Sequence, residues 1–290
     1  MFNGALTALV TPFRDGQVDA PALRDLIEWQ IQSGIDGLVP CGSTGESATL
    51  THAEHDSVIK LTIEQTRKRV PVIAGTGSNS TAEAIRLTAA AREMGADAAL
   101  LLSPYYNKPT QDGIYRHYKT IAASVDLPLF AYNIPGRTAS NILPETVARL
   151  AEIKNIVGIK EASGSMDQSS DILKMCGDRI TILSGDDALT LPVMALGAKG
   201  VISTCSNIVP RETHDLAAAA LAGDFAKARE IHFRLLPLMR ALFVETNPIP
   251  IKQALAFMSK CANELRMPLV QMTAAPAEKL RAAMKELRLI

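Results

Sequence analysis

Eight short, nearly unbroken apolar runs recur along this chain, and each is followed by a longer amphipathic stretch. The runs cover 5–11, 37–41, 71–75, 98–103, 127–133, 156–161, 180–185 and 200–204, with AALLLS, LPLFAYN and GVISTC as typical examples. Apolarity that continuous over so few residues is expected of parallel strands covered on both faces. The intervening stretches carry helical signals. Leu23, Leu26, Ile27 and Ile31 fall at helical spacing in 21–33, Thr51 and Glu54 open 51–67 as a capping box, 81–94 is rich in Ala, Glu and Arg, and Pro144 stands near the start of 141–151. Eight strand–helix units predict an α/β fold, the (β/α)8 TIM barrel. A doubly wound open sheet would need a GxGxxG turn after the first strand, where this chain has TPFRDG. Beyond Gly223 further helical patterns cover 225–243, 251–263 and 274–287, interrupted by the prolines of ETNPIP at 245–250. The expected organisation is a barrel over 1–223 and a C-terminal helical appendage over 224–290. The appendage shows no chemical motif of its own, so packing or assembly is its expected role.

Composition narrows the function. Of 290 residues, 47% are hydrophobic, enough for a full core, which excludes intrinsic disorder. Thirty basic residues balance thirty acidic ones, so no electrostatic footprint for nucleic acid is expected. No apolar run has the length of a membrane span, and the opening MFNGALTALVTPFRDG lacks the basic start and cleavage site of a signal peptide. A cytoplasmic protein is the expectation. Cys41, Cys176, Cys205 and Cys261 are far apart without CxxC spacing, and His52 and His55 stand without an HExxH pattern. Neither a metal site nor a disulfide framework is therefore expected, and the thiols read as buried hydrophobes.

In such barrels catalytic groups stand at the C-terminal strand ends. Lys160 ends the sixth run, IVGIK. Burial there lowers an amine's pKa, and a neutral amine is the nucleophile a Schiff base requires; a structural pairing with a neighbouring acid is the alternative. Tyr132 ends the fifth run, as a proton-relay phenol or a core tyrosine. Arg137 follows in the next loop, where its planar guanidinium suits a carboxylate or merely faces solvent. After the second run, Gly42-Ser43-Thr44-Gly45-Glu46 offers hydroxyls and successive N–H groups to an anion, or simply makes a tight turn. Tyr105 and Tyr106 occupy a proline-bounded loop after the fourth run, suited to an interface. Gly185-Asp186-Asp187 reads as exposed backbone followed by a helix cap.

Taken together, GSTGES at 42–47, AGTG at 74–77, PYYNKP at 104–109, YNIPGRT at 132–138, GIKEASG at 158–164, SGDDA at 184–188, GVIS at 200–203 and NPIPIK at 247–252 resemble the dihydrodipicolinate synthase family. That family sits among the pyruvate-dependent class I aldolase barrels, which include N-acetylneuraminate lyase. The resemblance spans essentially the whole chain. It implies that Lys160 forms an imine with pyruvate and that Tyr132 exchanges protons through Ser43 and Tyr106. Tyr106 would come from a neighbouring subunit, implying a homo-oligomer, with a dimer of dimers expected. Thr44 would hold the pyruvate carboxylate, Gly185 and Ile202 would line the pocket, and Arg137 would bind the carboxylate of L-aspartate 4-semialdehyde. No metal or organic cofactor is implied, because the lysine supplies the electron sink. The resemblance further implies feedback inhibition by L-lysine bound at Ser47, Ala48, His52, His55, Asn79, Glu83 and Tyr105. Many family members read GTTGE where this chain has GSTGE; the serine keeps the hydroxyl. GSTGE also occurs in the lyase branch, so Arg137 is what separates the synthase reading from an N-acetylneuraminate lyase-like or other 2-oxo-acid aldolase.

Overall fold

In the computed structural model, which describes residues 2–290, every predicted run holds a parallel strand. They are β1 (Gly4–Ala8), β2 (Gly37–Val39), β3 (Ile73–Gly75), β4 (Ala98–Leu102), β5 (Leu129–Asn133), β6 (Ile156–Glu161), β7 (Thr181–Ser184) and β8 (Gly200–Ser203). Consecutive strands pair in order, β8 pairs with β1, and a bridge between Leu38 and Val72 closes the ring between β2 and β3. The chain is a (β/α)8 barrel.

The covering helices are α1 (Ala20–Gln32), α2 (His52–Thr66), α3 (Thr81–Met94), α4 (Gln111–Ser124), α5 (Pro144–Leu150), α6 (Met166–Cys176), α7 (Thr190–Ala195) and α8 (Pro210–Leu221). The capping box of α2 forms: Thr51 Oγ1 accepts from the Glu54 N–H and the Glu54 carboxylate from the Thr51 N–H. Then come α9 (Phe225–Ala241), α10 (Ile249–Phe257) and α11 (Ala274–Glu286). The first run is shorter than expected, because the chain leaves the ladder after Ala8. It turns instead into a small hairpin, Phe13–Arg14 against Gln17–Val18, with Asp15 and Gly16 both at positive φ. α10 also stops at Phe257 instead of continuing to 263.

Two apolar layers follow from the alternation of strand faces, and a third cluster forms among helices. Leu6, Val39, Leu100, Phe130, Leu183 and Ile202 fill the barrel interior. Ile27, Ile59, Leu101, Tyr118 and Ile159 pack between strands and helices. A separate cluster joins Val10, Leu26 and Leu216 of the barrel to Ile231, Leu235, Ile251, Leu280 and Met284, so the last three helices share a core with α1 and α8. Cys41, Cys176 and Cys205 are buried free thiols, and Cys261 is half-buried. Among the described residues no helix is long and apolar enough to cross a membrane.

Candidate active site

The register of β5 and β6 sets Tyr132 directly opposite Lys160 at the C-terminal mouth of the barrel. Lys160 Nζ lies 4.4 Å from the Tyr132 ring centroid, and both residues are buried. Glu161 follows in sequence, and strand alternation turns it to the opposite face. There its carboxylate accepts from Asn133 Nδ2 at 3.0 Å, the Ser163 N–H at 2.6 Å and Gln168 Nε2 at 3.2 Å. Lys160 forms no ion pair among the described residues. Its structural alternative, pairing with a neighbouring acid, is therefore absent. Burial lowers the amine to about 8; Asp187 pulls upward and Arg137 pushes further down. Burial likewise pushes the Tyr132 phenol up to about 12, against Arg137 and a hydrogen bond from Ser43. At neutral pH the phenol therefore keeps its proton, and roughly a tenth of the amine is without its own, far more than for an ordinary lysine.

Around these two groups lies a cavity of roughly 40 Å³, lined by Ser43, Thr44, Tyr132, Arg137, Lys160 and Gly185, together with Thr204, Phe243 and Asn247. Thr44 and Ser43 ride on the turn after β2, in which the N–H groups of Gly45 and Ser47 both donate to the Gly42 carbonyl. Gly185 lines the wall where a side chain would meet the Lys160 stem. Ile202 is placed differently from the expectation. As a β8 residue it packs into the barrel interior with Leu6 and Leu183 and is not among the residues lining the cavity, whose wall on that side is Thr204.

Sequence reasoning missed two residues here. Asn247, from the segment expected to carry no chemistry, donates from Nδ2 to Thr44 Oγ1 at 3.0 Å, and its carbonyl accepts from Arg137 at 2.8 Å. The signal was the NPIPIK motif, whose asparagine is buried. Asp187 is also buried and accepts from Ser203 Oγ at 2.5 Å and from the N–H groups of Thr204 and Cys205 at 3.1 and 2.9 Å. Asp186, not Asp187, makes the cap-like turn, accepting from the N–H groups of Ala188 and Leu189.

Tyr106 is not brought to the cavity within one chain. It stands 88% exposed at positive φ, on the rim loop after β4. Beside the first cavity, and sharing Ser43, Arg137 and Asn247 with it, lies a second of roughly 450 Å³ between the starts of α2 and α3. Ser47, Ala48, His52, His55, Glu83 and Tyr105 all line it. Asn79 stands at its edge, donating from Nδ2 to the Tyr105 carbonyl at 3.2 Å. The two histidines differ. His52 is exposed and meets Glu83 at 2.9 Å, whereas His55 is buried, bonded to the Gly75 carbonyl at 2.9 Å and held neutral by burial. Ser78 and then His52 hold the Glu83 carboxyl below its ordinary value, so it is an anion at neutral pH.

Known proteins resemble this chain over its full length. The Dihydrodipicolinate synthetase family matches residues 1–287. A 4-hydroxy-tetrahydrodipicolinate synthase of Syntrophus aciditrophicus is 59% identical over 290 residues, covering all of both chains. Among solved structures, a chloride-inhibited dihydrodipicolinate synthase from Acinetobacter baumannii complexed with pyruvate aligns over all of both chains at 45% identity and a TM-score of 0.99. The enzyme of Cyanidioschyzon merolae with lysine bound aligns at 41% identity and a TM-score of 0.97, over 100% of this chain and 99% of that one. Full-length identity at this level, with a buried lysine facing a tyrosine at the barrel mouth, identifies an enzyme of the lyase class, and the chain belongs to the dihydrodipicolinate synthetase family.

Proposed function

We propose that this chain condenses pyruvate with L-aspartate 4-semialdehyde to 4-hydroxy-tetrahydrodipicolinate, a step of diaminopimelate and lysine biosynthesis. The observation that carries the reading is Lys160: a buried amine without an acid partner, lowered to about 8, against Tyr132 and at the same cavity as Thr44. The neutral amine attacks the keto carbon of pyruvate, and loss of water leaves the imine. Tyr132 carries protons through Ser43 and the partner subunit's Tyr106. The Thr44 hydroxyl accepts from Asn247 and so keeps its own proton to donate to the pyruvate carboxylate. Removing a methyl proton gives the enamine, whose carbon attacks the aldehyde. The amine of that second substrate then attacks the imine carbon, closes the ring and frees Lys160. Arg137, at the outer edge of the cavity and steadied by the Asn247 carbonyl, pairs with the second substrate's carboxylate.

Two further parts belong to the same reading. L-Lysine inhibits from the second cavity, its ammonium on Glu83; the support is six of the seven expected residues lining that one cavity and the lysine-bound relative. The working unit is a homo-oligomer, supported by Tyr106, which is too exposed in one chain to serve its own site.

The test is borohydride reduction in pyruvate followed by peptide mass spectrometry. A reduced pyruvate adduct on Lys160, and condensation with aspartate semialdehyde exceeding cleavage of sugar acids, is the expected result. An unmodified Lys160 would remove the proposal.

A further inference from the structure

The turn that carries Ser43 and Thr44 is held from behind by a buried charge pair outside both substrate positions. Glu46 closes this turn: its N–H donates to the Ser43 carbonyl at 3.2 Å, and its φ of +53° lies in the left-handed region. Its carboxylate, 1% exposed, meets Lys252 Nζ at 2.5 Å and accepts from the Arg266 N–H at 3.0 Å. Lys252 is fully buried, donates to the Glu264 carbonyl at 2.7 Å and lies 4.0 Å over the Phe13 ring. Just ahead of α10, which carries Lys252, Asn247 donates to Thr44. The C-terminal segment therefore grips the substrate-binding turn at two points, one on Thr44 and one on Glu46.

A pair of charges withdrawn from water is often no more stabilising than apolar residues of equal volume, and in some proteins its role is instead to fix one geometry. A left-handed non-glycine residue likewise persists only where its surroundings over-determine it, and such residues concentrate at functional sites. Both properties meet at Glu46. We propose that Glu46 and Lys252 are positioning residues: their ion pair sets the height of the Gly42–Ser47 turn so that the Thr44 hydroxyl meets the keto-acid carboxylate. This rests on the pyruvate reading above and assigns the pair a share in pyruvate affinity, while the chemistry of Lys160 is left intact.

The experiment is saturation of borohydride trapping against pyruvate concentration, for the wild-type chain, Glu46→Gln, and the neutral double replacement Glu46→Gln with Lys252→Met. The pyruvate needed for half-maximal trapping should rise about tenfold in the double replacement and several-fold in Glu46→Gln, because a turn displaced by a fraction of an ångström loses the carboxylate contact. The trapping rate at saturation should stay within about threefold of wild type, since the amine is untouched. Half-saturation within about twofold of wild type in a folded variant overturns the proposal, as does a fall in saturating rate alone. Should the double replacement fail to fold, Glu46→Gln, which keeps shape and an acceptor for Lys252, decides by the same criterion. Failure of the pyruvate reading itself looks different, because the wild-type chain would then trap nothing.

Discussion

A Cβ placed on Gly185 would stand 2.9 Å from Cε of Lys160 and 2.5 Å from Cβ of Ala162. Neither neighbour has room to retreat, because Ala162 follows directly on β6 with its N–H bonded to the Asn133 carbonyl, and the lysine stem is enclosed. Gly185→Ala should therefore fold with a modest stability loss, roughly 1–3 kcal/mol, while pushing the amine off its line of attack. Pyruvate trapping should fall on the order of a hundredfold, read as the rate of borohydride inactivation. An unchanged rate would show that the glycine only relieves packing. The same lysine carries a cost in stability. It holds its proton only below about 8 when folded but up to 10.5 when unfolded. Between those values the unfolded chain binds the extra proton, so wild-type stability rises with pH through that window. Lys160→Met removes the penalty, and denaturant midpoints should place it up to roughly 3 kcal/mol above wild type at pH 7. That advantage should shrink as the pH approaches 10.5; an advantage constant with pH would contradict the lowered amine. Because Arg137 also lowers Lys160, Arg137→Ala should move the rising limb of trapping to higher pH.

Between elements, the register of two strands and the spacing of two helix starts create the sites. The pairing of Tyr132 with Lys160 was foreseeable once both runs were recognised as strands, since each residue stands next to last in its run and parallel neighbours align their C-terminal ends. All eight strands were legible because burial on both faces makes them continuously apolar. Where that signal fails, the reading fails too. Leu9–Val10 stays apolar but packs as a loop, and the hairpin at Phe13–Val18 is too short to show a period. Its Asp-Gly dipeptide was nevertheless a strong turn signal. The second cavity depends on α2 presenting His52 and α3 presenting Glu83 across a shared wall. Glu83→Gln removes the anion but keeps the shape. Inhibition by L-lysine should then need at least about tenfold more ligand, with pyruvate trapping unaltered. Equal sensitivity in the variant would place lysine elsewhere.

Across the whole molecule, the C-terminal segment does what no window of sequence reveals. Asn247 reaches Thr44, Lys252 reaches Glu46, and Arg266 forms a two-pronged pair with Glu54 at the start of α2. Each contact joins residues some two hundred positions apart, and no local periodicity carries that information. The last three helices also cover Val10, Leu26 and Leu216, so the barrel and its appendage are not separate in packing even though the chain enters them in order. Tyr106 points to the remaining scale, beyond one chain. Exposed at 88% on the rim loop after β4, it has no partner in its own subunit that would explain a tyrosine there. If it serves the proton relay of a neighbour, Lys160→Ala and Tyr106→Phe chains should each be nearly inactive alone. Refolded together in equal amounts, half of the dimers are mixed, and each mixed dimer holds one site with both an intact lysine and an intact tyrosine. Activity should therefore recover to about a quarter of wild type. Were the tyrosine to act within its own subunit, every site in the mixture would lack one of the two groups and no activity would return.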